Sequence, residues 1–480
     1  MEKIQNMIDG ELCAPESGQY LDNFNPAKGE VYSQIPDSDK ADVEKAVRAA
    51  KKAFPTWSAM QQEDRSALLI KIADKIEEKL GELAAAESMD NGKPVSLATK
   101  VDIPRASANM RFFATAAIHF SSESHSMGEM AINYTLKKPI GLAGCISPWN
   151  LPLYLFTWKI APALAAGNCV IAKPSEVTPM TAYLFSQICI ECGLPKGVLN
   201  IIHGLGAKVG AAITEHPEIP AISFTGGTET GKTIARVAAP MFKKLSLELG
   251  GKNPNIIFDD CNYENALRTT VHSSFANQGQ ICLCGSRIFV HKNIYEKFRD
   301  DLVAKTRQLV VGPPESKNSN LGAVVSKDHK EKVLSYIRLA EEEGGTILTG
   351  GKEKKLEGDY ANGWYIEPTI IEGLPHNCRT NLEEIFGPVV TIMPFETEDE
   401  VLEYANCTQY GLSATLWTEN LTRAHRMANE LQSGIVWINT WLLRDLRTPF
   451  GGMKHSGVGR EGGFQALNFF TEQKNVCIKL

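Results

Sequence analysis

The chain has 480 residues, of which 43% are hydrophobic and 22% are charged, and its formal net charge is -6. A chain of this length is too long for one ordinary core, so two or three domains are expected. The mild acidity argues against a nucleic-acid partner and against an anionic membrane surface, since both bind concentrated basic patches.

The N-terminal segment and the cysteines predict a cytoplasmic protein. The first thirteen residues, MEKIQNMIDGELC, lack the apolar core of a signal peptide. The most apolar stretch, 140–172, is interrupted by Asn150, Lys159 and Asn168, so we do not expect it to span a membrane. Eleven cysteines is an odd number, and their irregular spacing favours free thiols in a reducing cytosol over a disulfide framework.

Two amphipathic segments near the N-terminus predict helices. The first, 39–54, begins with Asp39 as a helix cap. It places four apolar residues on one face: Val43, Ala46, Val47 and Ala50. Residues 64–88 predict a second, longer helix that ends at the stop signal Gly92–Lys93–Pro94.

From residue 140 onward, short apolar runs alternate with helical segments. Five runs are predicted to be buried strands: 141–147, 168–173, 199–204, 221–226 and 244–249. Helical patterns lie between them, near 153–166, 178–192, 207–215 and 228–239. This alternation predicts a doubly wound parallel sheet of the α/β class, which binds ligands at the carboxyl ends of its strands.

The alternation continues after Gly250–Gly251 and predicts a second α/β domain. Its predicted strands are 255–258, 286–290, 387–395, 411–417 and 434–439. The segment 121–139 and the C-terminal residues predict a small amount of additional sheet. The sequence therefore predicts three parts. The doubly wound domain comprises 1–120 and 140–249, and the second α/β domain comprises 250–449. The β arm and the C-terminal tail comprise 121–139 and 450–480.

Two cysteines one residue apart, Cys282 and Cys284, end the segment FANQGQICLC. A thiolate at Cys282 would be stabilised by nearby backbone N–H groups, which suits a nucleophile. A buried, inert thiol is the simpler interpretation of either cysteine, because free cysteine is among the most buried residue types. We predict no metal site, since no second cysteine pair lies near. The other close pair, Cys189 and Cys192, is interpreted as structural.

Two polar residues stand at the ends of predicted strands. Glu248 lies in the apolar run LSLEL before a double glycine, where burial would raise its pKa and suit it to general-base chemistry. The alternative is a surface carboxylate on an edge strand. Asn150, in SPWN, follows the first strand. Its amide would donate to a developing oxyanion, or would only occupy a turn.

Residues that follow the second and fourth strands fit a nucleotide. Lys173 and Glu176 lie where a ribose would rest on a doubly wound sheet, and a carboxylate there favours NAD over NADP because it repels a 2′-phosphate. Gly226 and Gly231, in FTGGTETG, would let a pyrophosphate approach a helix N-terminus. The segment is not GxGxxG, so by itself it indicates a nucleotide only weakly.

Seven segments, taken together and in order, resemble the aldehyde dehydrogenase superfamily. They are spread over almost the whole chain: SPWN (147–150), KPSE (173–176), FTGGTETG (224–231), LELGGKNP (247–254), FANQGQIC (275–282), EEIFGPVV (383–390) and PFGGMKHSGVGRE (449–461). The resemblance implies that the predicted parts of the chain are a NAD-binding domain, a catalytic domain and an oligomerisation arm. It also implies a homodimer or homotetramer.

The resemblance assigns five catalytic roles. Cys282 would attack the aldehyde carbon, while the Asn150 side chain and the Cys282 N–H would hold the oxyanion of the thiohemiacetal. After hydride transfer to NAD, Glu248 would activate the water that releases the acid from the thioester. Lys159 and Glu461 match positions that support proton movement.

The resemblance also assigns residues to the cofactor and substrate. Glu384 would hold the nicotinamide ribose, and Phe386 would pack beside the nicotinamide. Trp149 and Leu249, which lie within two of the motifs, are further cofactor-binding candidates, and Trp158 is a candidate for the substrate pocket.

Two arginines narrow the class of aldehyde. Arg105, in DIPRASANMRFF, and Arg444, in NTWLLRDLRTPFGG, lie in segments that line the substrate pocket in the resembled family. Two guanidinium groups beside an aldehyde pocket suit a substrate carboxylate. The alternative is that each arginine pairs with a local acid, such as Asp102 or Asp445.

The segments DIPR and WLLRDL are similar to the branch of the family that contains 2-aminomuconic and 2-hydroxymuconic semialdehyde dehydrogenases, enzymes of tryptophan and catechol breakdown. We expect oxidation of 2-aminomuconate 6-semialdehyde, ahead of its 2-hydroxy analogue. Retinal or another apolar aldehyde is the main enzymatic alternative and has no use for two arginines. A crystallin-like structural protein is disfavoured because Cys282, Glu248 and Asn150 are all present.

Overall fold

The structure is a computed structural model that describes residues Met1 to Leu480. Its largest sheet has eight strands, of which the five in the middle are parallel. In spatial order the strands are Gly457–Val458, Lys244–Glu248, Ala221–Thr225, Leu142–Ile146, Cys169–Lys173, Leu199–Ile201, Asn6–Ile8 and Glu11–Cys13.

The central strands of this sheet are buried because they are short apolar runs covered by helices. Every residue of Leu142–Ile146 and Cys169–Lys173 is buried. Helices Lys40–Ala59 and Pro152–Ala165 pack against these two strands. Gly144 leaves room for the helix Ala211–Glu215, since a Cβ there would lie 2.6 Å from the Ile213 side chain. The parallel strands all end at one edge, which therefore collects the loops that follow them.

A second sheet of seven strands follows in the chain. Its spatial order is Thr346–Thr349, Thr369–Glu372, Val389–Phe395, Arg287–His291, Pro254–Ile257, Ser413–Trp417 and Ile435–Ile438. All its neighbouring pairs are parallel except the first. Both large sheets are thus of the α/β type, as the alternation of apolar and helical segments predicted.

Three small sheets complete the structure. The long ribbon of the predicted arm is present, with Thr471–Lys479 antiparallel to Ala131–Pro139 over nine residue pairs and Ser124–Ser126 on the other side. The second sheet consists of Glu2–Lys3, Glu30–Pro36 and Tyr20–Asn25, and the third of Tyr410–Gly411 and Met453–Lys454. Elsewhere in the predicted tail, Gly457–Val458 pairs with Lys244–Glu248 at the edge of the eight-stranded sheet.

None of the helices combines the length and the apolarity needed to cross a bilayer. The α-helices are Lys40–Ala59, Gln62–Glu78, Leu80–Asn91, Val95–Leu97, Ile103–Ile118, Pro152–Ala165, Met180–Glu191, Ala211–Glu215, Thr228–Ala238, Tyr263–Phe275, Tyr295–Arg307, Lys327–Glu342, Arg379–Leu382, Glu398–Asn406, Leu421–Glu430 and Gly463–Phe469. Two π-helical turns, Ala98–Asp102 and Gly206–Gly210, lead into the helices that follow them.

The ten strands predicted for the two α/β domains are all present. The third shows the largest difference, because it ends at Ile201 instead of residue 204. The prediction of one long helix over 64–88 was wrong. The chain forms two helices that meet at Lys79, whose backbone leaves the helical region (φ -96, ψ 20), and the poor helix former Gly81 follows two residues later.

Candidate active site

The candidate site lies where the loops after the parallel strands meet the second α/β unit. A cavity of about 240 Å³ is lined by residues from both, including Trp149, Asn150, Cys282, Glu384 and Phe386. These residues come from three separate motifs of the sequence. The topology therefore brings together most of the predicted catalytic and nicotinamide-binding positions.

The predicted nucleophile follows a tightly folded loop. After the helix Tyr263–Phe275, Asn277 and Gln278 adopt left-handed backbone conformations with φ of 52° and 56°, and both side chains are buried. Gly279 is required next, because a Cβ there would lie 2.1 Å from the Gly387 carbonyl oxygen. The strained turn delivers Cys282, which is partly exposed and lines the cavity, whereas Cys284 is buried.

The two thiols share neighbours but differ in access. Asn253 fixes the backbone of both, since its amide donates to the carbonyl oxygens of Cys282 at 2.7 Å and Cys284 at 2.9 Å. Burial and the carboxylates of Glu384 and Glu248 raise the pKa of Cys282. A raised pKa favours the thiol form, so the sulfur should become more nucleophilic as the pH rises.

Glu248 is a buried carboxyl at the end of an interior strand. It is 4% exposed, and neither of its carboxyl oxygens has a hydrogen-bond partner. Its strand pairs with Ala221–Thr225 on one side and Gly457–Val458 on the other, so the alternative of an edge-strand surface carboxylate was wrong. Burial first, and then the charge of Glu461, raise its pKa well above the ordinary value, which suits a general base.

Lys159 and Glu461 form a buried ion pair behind this carboxyl. Lys159 Nζ lies 2.9 Å from Glu461 Oε1, and both atoms are within 3.1 Å of the Ser223 hydroxyl. Ser246 also donates to Glu461 Oε1, at 3.3 Å, while Oε2 has no partner. Sequence reasoning missed Ser223 and Ser246. Their only signal was their position on the two strands whose ends were already predicted to form the site.

The Asn150 side chain is held in place but keeps a free donor. Its amide nitrogen donates to the Gln280 carbonyl oxygen at 3.0 Å, and the residue is 3% exposed. A carboxamide has two N–H groups, so one remains for a group in the cavity that Asn150 and Cys282 both line. This arrangement suits an oxyanion hole.

The two nicotinamide candidates, Glu384 and Phe386, both line this cavity. Glu384 Oε1 accepts a hydrogen bond from the Gly251 N–H at 2.8 Å. Phe386 has a φ of 64° and meets the Trp149 ring edge-on at 5.2 Å. His329, which the sequence analysis did not single out, lies 2.8 Å from the Phe386 carbonyl oxygen through Nε2. Burial lowers the pKa of His329 to about 4, so the neutral ring donates that bond.

Lys173 and Glu176 are placed together beside a second cavity. Lys173 Nζ lies 2.8 Å from Glu176 Oε2, and Glu176 Oε1 accepts from the Gly206 N–H at 3.2 Å. Burial raises the pKa of Glu176, but the charge and hydrogen bond of Lys173 outweigh that effect and lower it overall. Glu176 and Gly206 line a cavity of about 560 Å³. An anionic carboxylate there fits a ribose and repels a 2′-phosphate, which fits NAD.

The glycines of the segment FTGGTETG have different structural roles. Gly226 lines the first cavity, together with Gly227, which the sequence analysis passed over. Gly231 instead permits close packing, because a Cβ there would lie 2.5 Å from the Leu249 side chain. Leu249 itself lines the first cavity. The N-terminus of helix Thr228–Ala238 next to Gly226 and Gly227 is a fitting place for a pyrophosphate.

Arg105 and Arg444 line a large open cavity of about 920 Å³. Nε and Nη2 of both arginines are buried and have no hydrogen-bond acceptor in the protein. The two guanidinium groups meet at Tyr154, whose hydroxyl lies 3.4 Å from Arg444 Nη1 and whose ring lies 5.3 Å from Arg105. Sequence reasoning missed Tyr154, because nothing in its segment marks it as polar-facing.

The local acids do not neutralise these arginines. Asp102 pairs with Lys93 at 2.9 Å, and Asp445 pairs with Arg447 at 2.6 Å. The alternative that each arginine has an acidic partner nearby was therefore wrong. Arg444 instead stacks on the ring of Trp158 at 4.4 Å, and Trp158 is 2% exposed, so it forms the floor under the guanidinium.

Comparison with known proteins identifies the family. The aldehyde dehydrogenase family model matches residues 13–476. A solved structure of the NAD+ complex of aldehyde dehydrogenase from Bacillus cereus superimposes with a TM-score of 0.97 at 40% identity, covering 100% of this chain and 97% of that one. The chain belongs to the aldehyde dehydrogenase family and is a NAD-dependent enzyme.

Two relatives are similar over nearly their whole length. A 2-aminomuconic semialdehyde dehydrogenase of Mus musculus is 50% identical over 479 residues, which cover 99% of this chain and 98% of the relative. A 2-hydroxymuconic semialdehyde dehydrogenase of Pseudomonas sp. (strain CF600) is 46% identical over 486 aligned positions and covers both chains completely.

Proposed function

We propose that the enzyme oxidises a carboxylate-bearing unsaturated semialdehyde, with 2-aminomuconate 6-semialdehyde favoured over its 2-hydroxy analogue. The observation that carries the proposal is the pair of guanidinium groups of Arg105 and Arg444, whose buried N–H groups have no acceptor. A substrate carboxylate would accept from both. A buried donor left unpaired costs about 1–3 kcal/mol, so an apolar aldehyde such as retinal would bind here at a disadvantage.

Arg444 lies near enough to the proposed nucleophile for its charge to act there, which supports a role for both with the same substrate. The charge of Arg444 is among the influences that lower the pKa values of Cys282 and Glu248. The names of the mouse and Pseudomonas relatives, both muconic semialdehyde dehydrogenases, support this substrate class. A crystallin-like role would make no use of the buried Glu248 and Lys159–Glu461 pair.

The first half of the mechanism takes place at Cys282. Its thiol gives up its proton to solvent and the sulfur attacks the aldehyde carbon, which gives a thiohemiacetal whose oxyanion accepts a hydrogen bond from the free Asn150 N–H. NAD, when bound, supplies the hydride acceptor for the oxidation step. Glu384 and Phe386 would hold its nicotinamide end, and Glu176 its adenosine ribose.

The second half releases the acid. The thioester on Cys282 is hydrolysed by a water from which Glu248 removes a proton, and the thiol is regenerated. The raised pKa of Glu248 makes it a stronger base than an ordinary carboxylate. The Glu461 carboxyl behind it, bonded to Lys159, offers a path for the proton away from the dry interior.

The test compares substrates that carry a carboxylate with one that does not. NADH formation is followed with 2-aminomuconic semialdehyde, 2-hydroxymuconic semialdehyde and retinal, for the wild type and Arg444→Ala. Hydrogen bonds to charged groups contribute about 1.5–3 kcal/mol, so kcat/KM for the muconate substrates should fall about 10- to 150-fold in the variant. Oxidation of retinal, which has no carboxylate for Arg444 to bind, should fall far less.

Arg447 provides a matched control. It lies three residues along the same loop, but its guanidinium is exposed and already paired with Asp445. Arg447→Ala should therefore keep the wild-type rate with every substrate. Brisk turnover of retinal, with no turnover of either muconic semialdehyde, would refute the proposed substrate class.

We also propose the assembly and location expected from the sequence. The ribbon formed by 131–139 and 471–479 leaves one edge of the long C-terminal strand unpaired, which supports its use in a homodimer or homotetramer. The part of the chain that carries the eight-stranded sheet would be the NAD-binding domain, and the part that carries the seven-stranded sheet would be the catalytic domain. All eleven cysteines are free thiols, which supports a reducing compartment such as the cytoplasm.

A further inference from the structure

The main-chain carbonyl of Asn150 accepts an unusual number of side-chain donors. Asn277 donates to it at 2.9 Å, Lys93 Nζ at 3.1 Å and Asn91 at 3.4 Å. A carbonyl oxygen has two lone pairs, so three donors saturate it. Asn150 stands in a loop after a strand, where no regular ladder fixes the backbone. These side chains are what hold it.

Of the three residues that donate to the Asn150 carbonyl, Lys93 has the largest desolvation penalty. Its side chain is fully buried, and its ammonium group also lies 2.9 Å from Asp102 Oδ2, which is fully buried too. A buried ion pair is a poor source of stability, because its desolvation penalty offsets the attraction, and apolar replacements are often neutral. A fixed geometry at the point that the ammonium contacts is the better explanation for its presence.

The same contacts also orient the Asn150 side chain. Asn277 donates to the Gln280 carbonyl oxygen at 3.2 Å, and the Asn150 amide donates to that same oxygen at 3.0 Å. Asn91 donates a second bond to the Trp149 carbonyl at 2.9 Å, so the backbone is held on both sides of the peptide. With the backbone and one amide hydrogen fixed, the direction of the other amide hydrogen is set.

We infer that Lys93, held by Asp102, is a positioning residue that aims the Asn150 carboxamide at the oxyanion. This inference rests on the proposed role of Asn150. Lys93 touches neither the substrate nor Cys282 and acts only through the Asn150 carbonyl. Without it the loop keeps two weaker, neutral donors, and the amide loses its fixed direction.

The experiment removes both buried charges together. Lys93→Met alone would leave the Asp102 charge buried and uncompensated and would endanger folding. The double variant Lys93→Met/Asp102→Asn avoids this, and its kcat/KM is measured with and without Asn150→Ala in the same chain. NAD affinity, from protein fluorescence, and the melting temperature are measured in parallel.

Lys243 supplies the matched control for loss of a buried lysine. It is 8% exposed and donates to the Thr214 and His216 carbonyls, both at 2.6 Å, without contacting Asn150. Lys243→Met should keep the wild-type kcat/KM. A comparable loss in this control would overturn the inference, because the effect would then be a general one of removing a buried lysine.

We expect the double variant to lose about 10- to 100-fold in kcat/KM when Asn150 is present, with NAD affinity unchanged. In the Asn150→Ala background the same double change should have almost no further effect, because there is no amide left to position. An equal loss of kcat/KM in both backgrounds would overturn the inference about Lys93 but would leave the proposed oxyanion role of Asn150 intact. Full activity of Asn150→Ala itself would overturn the proposed oxyanion role and the inference with it.

Discussion

Replacing Gly250 by alanine tests the nicotinamide side of the site without disturbing the fold. A Cβ on Gly250 would lie 2.4 Å from Glu384 Oε2, whereas ordinary contacts begin at 3.4 Å. The carboxylate must therefore retreat by about 1 Å. It is the free end of a flexible side chain, so it yields easily, but it gives up the 2.8 Å bond from the Gly251 N–H.

The expected loss of NAD affinity follows from the hydrogen bond that the ribose would make to the displaced carboxylate. A hydrogen bond to a charged group contributes about 1.5–3 kcal/mol, and a carboxylate displaced by about 1 Å no longer meets a ribose in the same place. NAD binding should weaken about 10- to 150-fold. Gly250 does not have a positive φ, so alanine fits its backbone and gains about 0.4–1 kcal/mol, but the lost hydrogen bond outweighs this gain and stability should fall slightly, by about 0.5–2.5 kcal/mol.

Fluorescence titration with NAD and a thermal melt separate the two expectations. Gly81→Ala is the control, since a Cβ at Gly81 meets no atom within 4 Å, and it should leave NAD affinity unchanged. If Gly250→Ala binds NAD as tightly as the wild type, the carboxylate of Glu384 does not hold the cofactor. If it melts well below the wild type, the assumption of an easily displaced side chain is wrong.

Three further predictions concern the chemistry at the sulfur. Glu248→Gln should lower steady-state turnover about 100- to 10,000-fold. Stopped-flow measurements should still show a first burst of NADH, because only the hydrolysis of the thioester needs the base. Absence of the burst would contradict this role of Glu248. The kcat/KM of the wild type should rise with pH, because burial and the Glu384 and Glu248 carboxylates raise the pKa of Cys282 and leave little thiolate at neutral pH. Glu384→Gln should move that profile to lower pH, and an unmoved profile would show that the charge is too distant. Cys284→Ala should keep full turnover and cost about 1 kcal/mol in a denaturant melt, as a buried packing residue does; a large loss of turnover would give Cys284 a chemical role.

The fold was largely predictable because its strands are short, apolar and fully buried. Runs such as Leu142–Ile146 and Cys169–Lys173 cannot be placed anywhere but inside a covered sheet. The helix break at Lys79 was not predictable in the same way. Lysine is a good helix former, and the amphipathic pattern continues across it, so Gly81 two residues later is only a weak local signal and the packing of the two helices decides where the chain turns.

The candidate site was predictable only where a strand end or a motif marked the residue. Residues that contact the predicted site residues from distant parts of the sequence were missed, because nothing in the sequence indicates that they are close in space. Ser223 meets Glu461 across 238 residues, and Asn277 meets Asn150 across 127. Arg105 and Arg444 show a different limit. Their positions were predicted, but whether an acid neutralised them was decided by the partners that Asp102 and Asp445 take in three dimensions.

The two arginines, Arg105 and Arg444, carry more positive charge than a single substrate carboxylate can neutralise. The charge of Arg444 is among those that lower the pKa values of Cys282 and Glu248 and so favour their reactive forms. A substrate carboxylate bound to a single arginine would cancel that charge at the moment when the thiolate is needed. With Arg105 beside it, the pair keeps a net positive charge after the substrate binds.

Arg444→Ala should therefore do more than weaken substrate binding. The variant should shift the pH profile of kcat/KM to higher pH even with a small neutral aldehyde, because the thiol of Cys282 then loses a neighbouring positive charge. Arg105→Ala should weaken the muconate substrate with a smaller shift, since Arg105 is not among the charges that act on Cys282. Equal shifts in the two variants would mean that the arginines act only as a binding pair.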